Sequence, residues 1–136
     1  MQKISALKNN KKTNILGVTV LTSLDEKQTF KYYKEKNVNN LVKKFAKYAK
    51  KNNLSGLVCS PLEINIVRQE VGKKMILVVP GIRPNKKPYS KKDDQKRILT
   101  PKQAIDLGAD FLVIGRPIIE SKNPLETIKK INQSIQ

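Results

Sequence analysis

The sequence has no histidine, no tryptophan, a single cysteine, and 11 acidic residues against 28 basic ones in a chain of 136. With no imidazole to take its proton, Cys59 reads as a small core residue and not as a nucleophile. One cysteine makes no internal disulfide and no cysteine metal cluster, and it suits a reducing, cytoplasmic setting. No apolar run approaches the roughly 20 residues of a membrane span. The basic opening stretch MQKISALKNNKKTN lacks the apolar segment of a secretory signal. The dinucleotide pattern GxGxxG and the P-loop pattern GxxxxGK[ST] are absent. So are zinc-finger spacing, RNA-recognition aromatic motifs and a basic region leading into heptads. Aromatics make up only 5% of the chain, so the core falls to Ile, Leu and Val. The length fits one domain over residues 1–136.

A formal net charge of +17 invites a nucleic-acid reading. The lysines, however, are spread over loops and helix faces and do not gather in one motif. Lys, Asn and Ile, all residues of AT-rich codons, are abundant together. A solvated basic surface, with no specific nucleic-acid partner, is the expectation. Arginine is the rarer cation, at positions 68, 83, 97 and 116 only. Two of the four fall in similar places: Gly81-Ile82-Arg83-Pro84 and Gly115-Arg116-Pro117 each follow a short apolar run. Glycine lets backbone amides approach an anion, and arginine offers a planar fork of donors to phosphate. A surface arginine paired with a nearby carboxylate is the plainer alternative.

The rest of the chain alternates strand and helix signals. Residues 15–21 (ILGVTVL) form an apolar, β-branched run that fits a strand buried on both faces. Thr22 follows, as a ligand-facing hydroxyl or as a helix cap, and Asp25 and Glu26 suit a first helical turn. Val38–Lys51 has the i, i+3, i+4, i+7 pattern of an amphipathic helix with lysines outside. Residues 56–59 (GLVC) read as a second strand. Ser60-Pro61 open a helix over 62–71, and Gly72 ends it. Residues 75–79 are a third strand, 85–97 a polar loop, 101–107 a helix capped by Thr100-Pro101 and ended by Gly108. Residues 111–114 are a fourth strand, and 125–135 a last helix with Leu125, Ile128, Ile131 and Ile135 on one face. Four strand–loop–helix units imply parallel strands with right-handed crossovers. That is half of a (β/α)8 barrel or a small open doubly wound sheet. In such barrels the turns after the last two strands often hold phosphate.

The segments VTVLTS (18–23), LVCSP (57–61), VPGIRP (79–84), DQKR (94–97), LTPKQ (99–103), AIDLGAD (104–110) and VIGRP (113–117) together resemble, in order, the C-terminal half of bacterial-type orotidine 5′-phosphate decarboxylase. The resemblance implies an α/β fold, the C-terminal half of a (β/α)8 TIM barrel with four parallel strands alternating with helices. It implies a family that converts orotidine 5′-phosphate to UMP without metal or cofactor, as a homodimer. By the same resemblance Thr22 lies beside the ligand, Arg83 belongs to the seventh turn, Gln95 reaches over the pyrimidine and phosphate from a mobile loop, and Gly115 and Arg116 bind the phosphate.

There are departures from the family pattern. Val79 stands where a Thr is frequent, the 85–94 loop is longer and richer in lysine, and Asp93 replaces a common Gly. The D-x-K-x-x-D motif that carries the family's proton donor and carboxylate network does not occur, so no catalytic residue is assigned here. The expectations are therefore a phosphate-gripping half of the enzyme, or an inactive nucleotide-phosphate-binding half-barrel, or one half of a split enzyme. A four-stranded half-barrel also has two open edges and an inner face with no partner layer, which makes the chain alone marginal, oligomeric or aggregation-prone.

Overall fold

The computed structural model describes residues 13–21, 24, 26–84 and 98–136. Thr22, Asp25, Asp93, Gln95 and Arg97 lie outside these described residues. In chain order the elements are β1 (Leu16–Val18), α1 (Glu26–Tyr33), α2 (Val38–Lys51), β2 (Gly56–Val58), a 3-10 turn (Pro61–Glu63), α3 (Ile64–Val71), β3 (Ile76–Pro80), α4 (Pro101–Asp106), β4 (Phe111–Val113), α5 (Arg116–Ile119) and α6 (Pro124–Ser134). The four strands form one sheet in the order β1-β2-β3-β4. All three pairings are parallel, with Gly17 opposite Leu57, Leu57 opposite Leu77, and Val79 opposite Leu112.

Local chemistry sets the element ends. Asn37 caps α2 by accepting from the Asn40 N–H at 3.1 Å, satisfying one of the orphan donors of a first turn. At α4 the Thr100 hydroxyl accepts from the Gln103 N–H, and the Gln103 side chain accepts from the Thr100 N–H, the reciprocal arrangement that fixes a helix start. Gly72 ends α3 with φ 76°, a left-handed conformation that disfavours residues with a Cβ. Gly56 answers a different need, because a Cβ there would run into the Ile76 carbonyl across the β2–β3 ladder.

Helices cover one face of the sheet. Leu57, Leu77 and Val79 pack there with Val42, Ala46 and Ala49 of α2, Ile64 and Val67 of α3, and Ala104 of α4. Among the described residues no helix covers the other face, which corrects the expectation that 15–21 is a strand buried on both sides. β1 is three residues long, with Leu16 37% and Val18 52% exposed around a buried Gly17. β4 repeats this, with Phe111 59% and Val113 49% exposed. Alternate strand residues point to opposite faces, and only one of those faces meets helices. The expected apolar stripe of the last helix is likewise only partly used: Ile131 is buried while Leu125 is 74% exposed.

Candidate functional site

Because β3 and β4 are adjacent and parallel, the turns that leave them open at the same end of the sheet. After β3 the chain bends at Gly81, whose φ of 79° a side chain would strain. Ile82 pairs with Leu99 in an isolated parallel bridge, and the Arg83 N–H donates to the Leu99 carbonyl at 3.0 Å. The two ends of the segment 85–97 are thereby held side by side. Arg83 is only 4% exposed, and its Nη1 donates to the Ile82 carbonyl at 3.0 Å. It lies inside the mouth of the sheet, away from bulk solvent. After β4, Gly115 caps α5, its carbonyl accepting from the Ile118 N–H at 2.8 Å. Its φ of −104° is open to any residue. A Cβ there would meet nothing within 4 Å, so the glycine leaves clear space over the turn. Arg116 follows, half-buried, and Pro117 beneath it is buried. The sequence did not mark α5 as a helix, since Gly-Arg-Pro reads as a turn.

The ends of β1 and β2 add a polar cluster at the same end. Thr19 Oγ1 donates to the Val58 carbonyl at 3.2 Å and to Glu63 Oε2 at 3.5 Å. Glu63, 1% exposed, also accepts from the Ser60 N–H at 3.2 Å. The Ser60 hydroxyl is buried with no hydrogen-bond partner among the described residues. Such a group loses the full desolvation cost unless something satisfies it. Cys59 is buried beside it. Burial first, and the Glu63 charge second, push its thiol up to about 12, so it stays protonated and unreactive. Sequence reasoning placed Ser60 and Glu63 at a helix start but did not join them to Thr19; a Thr inside an otherwise apolar run was the available signal. Val79, the departure from the family's frequent Thr, is fully buried in the helix-facing core.

The opposite end of the strands is a clamp. Arg68 donates through Nε and Nη2 to the Gly108 carbonyl (2.8 and 2.6 Å), through Nη1 to the carbonyls of Gly72 (2.9 Å) and Met75 (2.7 Å), and through Nη2 to Asp110 Oδ2 (2.6 Å). Asp110 Oδ2 in turn accepts from the Leu77 N–H at 2.7 Å. A groove of about 680 Å3 between α3 and α4 borders these residues. The guanidinium on its wall is fully engaged in the fold, and the groove lies at the other end of the strands from the two Gly/Arg turns. Among the described residues no group of three or more His, Cys, Asp or Glu side chains is placed to hold a metal, and no helix is long and apolar enough to cross a membrane.

Four parallel strands alternating with helices, with Gly/Arg turns beyond the C-terminal ends of the last two, define half of a (β/α)8 barrel. The sequence pattern of the orotidine 5'-phosphate decarboxylase / HUMPS family matches residues 2–131, and the chain belongs to that family. It is 47% identical over 122 residues to orotidine 5'-phosphate decarboxylase of Pseudoalteromonas translucida, covering 90% of this chain and 51% of the relative. It is 43% identical over 135 residues to the Wolbachia pipientis enzyme of the same name, covering 99% of this chain and 58% of that one. The crystal structure of orotidine 5'-phosphate decarboxylase from Lactobacillus acidophilus superposes with a TM-score of 0.71 at 29% identity, over 90% of this chain and 49% of that one. The chain thus spans about half the length of the curated relatives it matches.

Proposed function

We propose that this chain forms the nucleotide-phosphate-binding part of an orotidine 5'-phosphate decarboxylase, which converts orotidine 5'-phosphate to UMP and carbon dioxide in pyrimidine biosynthesis. The observation that carries this reading is the adjacency of the two Gly/Arg turns on neighbouring parallel strands. Gly115 and Arg116 grip the phosphate, the first by leaving its backbone accessible and the second by charge-assisted hydrogen bonds worth about 1.5–3 kcal/mol each. Arg83 supports the same mouth from within. Thr22 and Gln95 complete the substrate contacts, Gln95 from the connection whose ends Arg83 and Leu99 hold together. Binding energy from the phosphate, remote from the reacting carbon, is available to stabilise the transition state. The whole enzyme works as a cytoplasmic homodimer, needs no metal or cofactor, and has neither membrane nor nucleic acid as a partner.

The proton donor and its carboxylate network are not among these 136 residues, because the sequence contains no D-x-K-x-x-D segment. The isolated chain is therefore expected to bind UMP and to leave orotidine 5'-phosphate unchanged. Decarboxylation followed by absorbance, with UMP binding followed by calorimetry, tests both halves of this statement. Absence of turnover together with UMP binding that Arg116→Ala abolishes supports the reading. Turnover by the isolated chain would show that other residues carry the chemistry, and failure to bind UMP would remove the phosphate site.

A further inference from the structure

We infer that Glu63, itself closed off from any ligand, is a positioning residue: through Thr19 and Ser60 it sets the β1 and β2 ends of the mouth for the nucleoside part of the substrate. The inference rests on the nucleotide-binding reading above and extends it to the side of the mouth away from the two Gly/Arg turns. A glutamate is rarely buried in full, because a carboxylate taken out of water needs hydrogen bonds in exchange. Glu63 is 1% exposed, with Ser60 at 0% and Thr19 at 5% beside it. Thr19 stands on the helix-covered face, since Leu16 and Val18 alternate with it on the open one. The burial of this set therefore does not wait on further strands. Capping does not account for it. The turn at Pro61–Glu63 and helix α4 share one device, a third-residue side chain that accepts from the N–H of the cap. At α4 a neutral, half-buried Gln103 does this, taking the Thr100 N–H at 3.2 Å. Glu63 takes the Ser60 N–H at 3.2 Å too. Its carboxylate, however, is buried, and it also faces Thr19 Oγ1 at 3.5 Å, 44 positions earlier in the chain. The added burial and the reach to another strand are what capping alone does not need.

The contacts form one set across the last rung of β1 and β2. The Thr19 N–H donates to the Val58 carbonyl at 3.0 Å, and the Thr19 hydroxyl lies 3.2 Å from that same carbonyl and 3.5 Å from Glu63 Oε2. The hydroxyl has a single proton to give. The two acceptors share it, and either one ties β1 to the β2 side. Past this rung the chain leaves the sheet in a turn closed by the Leu24 N–H on the Leu21 carbonyl at 3.0 Å. Thr22, a substrate contact of the proposed function, falls between those two in sequence. Moving the carboxylate therefore moves the point from which that turn departs. The strand order puts β1 and β2 three and two strands from β4. At about 4.8 Å per spacing, that is roughly 10–14 Å from the turn of Gly115 and Arg116. A phosphate held at that turn does not span the gap; the nucleoside attached to it extends into it. Glu63 then governs how well the nucleoside is held, and leaves the grip on the phosphate to the far turns.

Two ligands separate these roles in the full chain: UMP, and ribose 5-phosphate, which carries the phosphate without the base. Magnetic-resonance titration reads both affinities, and urea denaturation reads stability. Thr19→Val, close in shape but without the hydroxyl, should weaken UMP about fivefold, the factor one neutral hydrogen bond represents, and leave ribose 5-phosphate within about twofold. Glu63→Ala should do the same or more. Thr19→Ser and Glu63→Gln, which keep a hydroxyl and an acceptor in place, should restore most of the loss. Arg116→Ala is the contrast, weakening both ligands alike. A purely structural role would lower the urea midpoint and weaken both ligands together, or leave both alone, and either result would overturn the inference. Should Glu63→Ala not fold, the pair Thr19→Val and Thr19→Ser decides. An unaltered chain that binds UMP, while every Thr19 and Glu63 variant keeps the native ratio of the two affinities, refutes this inference alone. An unaltered chain that binds neither ligand removes the proposed function and this inference with it.

Discussion

At the N-terminal end of the strands Arg68 directs its guanidinium at three carbonyls and one carboxylate of its own chain. At the C-terminal end Arg83 and Arg116 flank turns of low side-chain bulk, where Gly115 leaves open space. At one end the guanidinium is committed to the fold, and at the other the proposed function gives it a ligand. Arginine suits both tasks because its five donors lie in a rigid plane, which a lysine ammonium does not reproduce. In a chain where lysine is the default cation, each arginine then marks a place where fixed donor geometry is needed. Residue type alone does not say which task is meant; that depends on whether the acceptors are already inside the protein.

The sharpest way to break this contrast is Arg68→Ala. It would strand the Gly108 and Met75 carbonyls and leave Asp110 without its cation. Leaving a buried carbonyl without its donor costs about 1–3 kcal/mol, and the loss of the contact to the exposed Asp110 carboxylate adds little; a total of about 2–3 kcal/mol is expected. Urea denaturation should show it as a large fall in midpoint, and Arg68→Lys should recover little of it. An unchanged midpoint would mean that the clamp is incidental.

Arg116→Ala should do the reverse. Its loss of stability should be smaller than that of Arg68→Ala, because Arg116 is only half-buried. UMP should bind at least tenfold more weakly, the equivalent of one lost charge-assisted contact of about 1.5 kcal/mol or more. If both variants unfold the chain alike, the division between the two ends is wrong.

Cys59 probes how dry the packing is at the C-terminal end. Its thiol is raised from 9.0 to about 12, chiefly by burial. The folded state therefore holds the proton more tightly than the unfolded one. The thiol's contribution is intact below about pH 9 and is lost as pH rises from there toward about 12. Within that window stability should fall by about 1.4 kcal/mol per pH unit from this group alone. The quantity to measure is the difference in slope between the native chain and Cys59→Ala, which isolates this group. Equal slopes would show that water reaches the thiol.

Much of this organisation was legible in the residues. The apolar runs of β2, β3 and β4 end in Ser-Pro, Pro-Gly and Gly punctuation, and that spacing located β2, β3, β4 and α4 to within a residue or two. The parallel order followed from the alternation. The burial of β1 was not legible, because ILGVTVL says that a strand is apolar but not how many layers cover it. Helix α1 gave only a start signal, since Thr29 is its one buried residue and no stripe repeats. Of the candidate site, Arg83, Gly115 and Arg116 were visible from turn chemistry, and the structure brings their turns to one end. The Thr19–Glu63 contact and the Arg68 clamp join residues about 40 positions apart, and no local pattern encodes such pairings.

The smallest expected effect calibrates the largest. Lys130 Nζ lies 2.6 Å from Glu126 Oε1, the same separation as Arg68 Nη2 from Asp110 Oδ2. Both members of the first pair are exposed, one helical turn apart on α6, whereas the Arg68 side chain is largely buried. Hydrogen bonding to Lys130, followed by its charge, lowers the Glu126 carboxyl below its usual value of 4.5. The pair is therefore present at neutral pH and is lost as pH falls through the acid range. Water and salt screen it there, and two flexible side chains must be held for it to form. Glu126→Gln should leave the urea midpoint unchanged within error at pH 7, with or without salt. Equal distances with unequal consequences would show that the acceptors Arg68 finds in a buried setting, and not the ion-pair contact itself, give the clamp its weight. A Glu126→Gln loss comparable to that of Arg68→Ala would refute that reading.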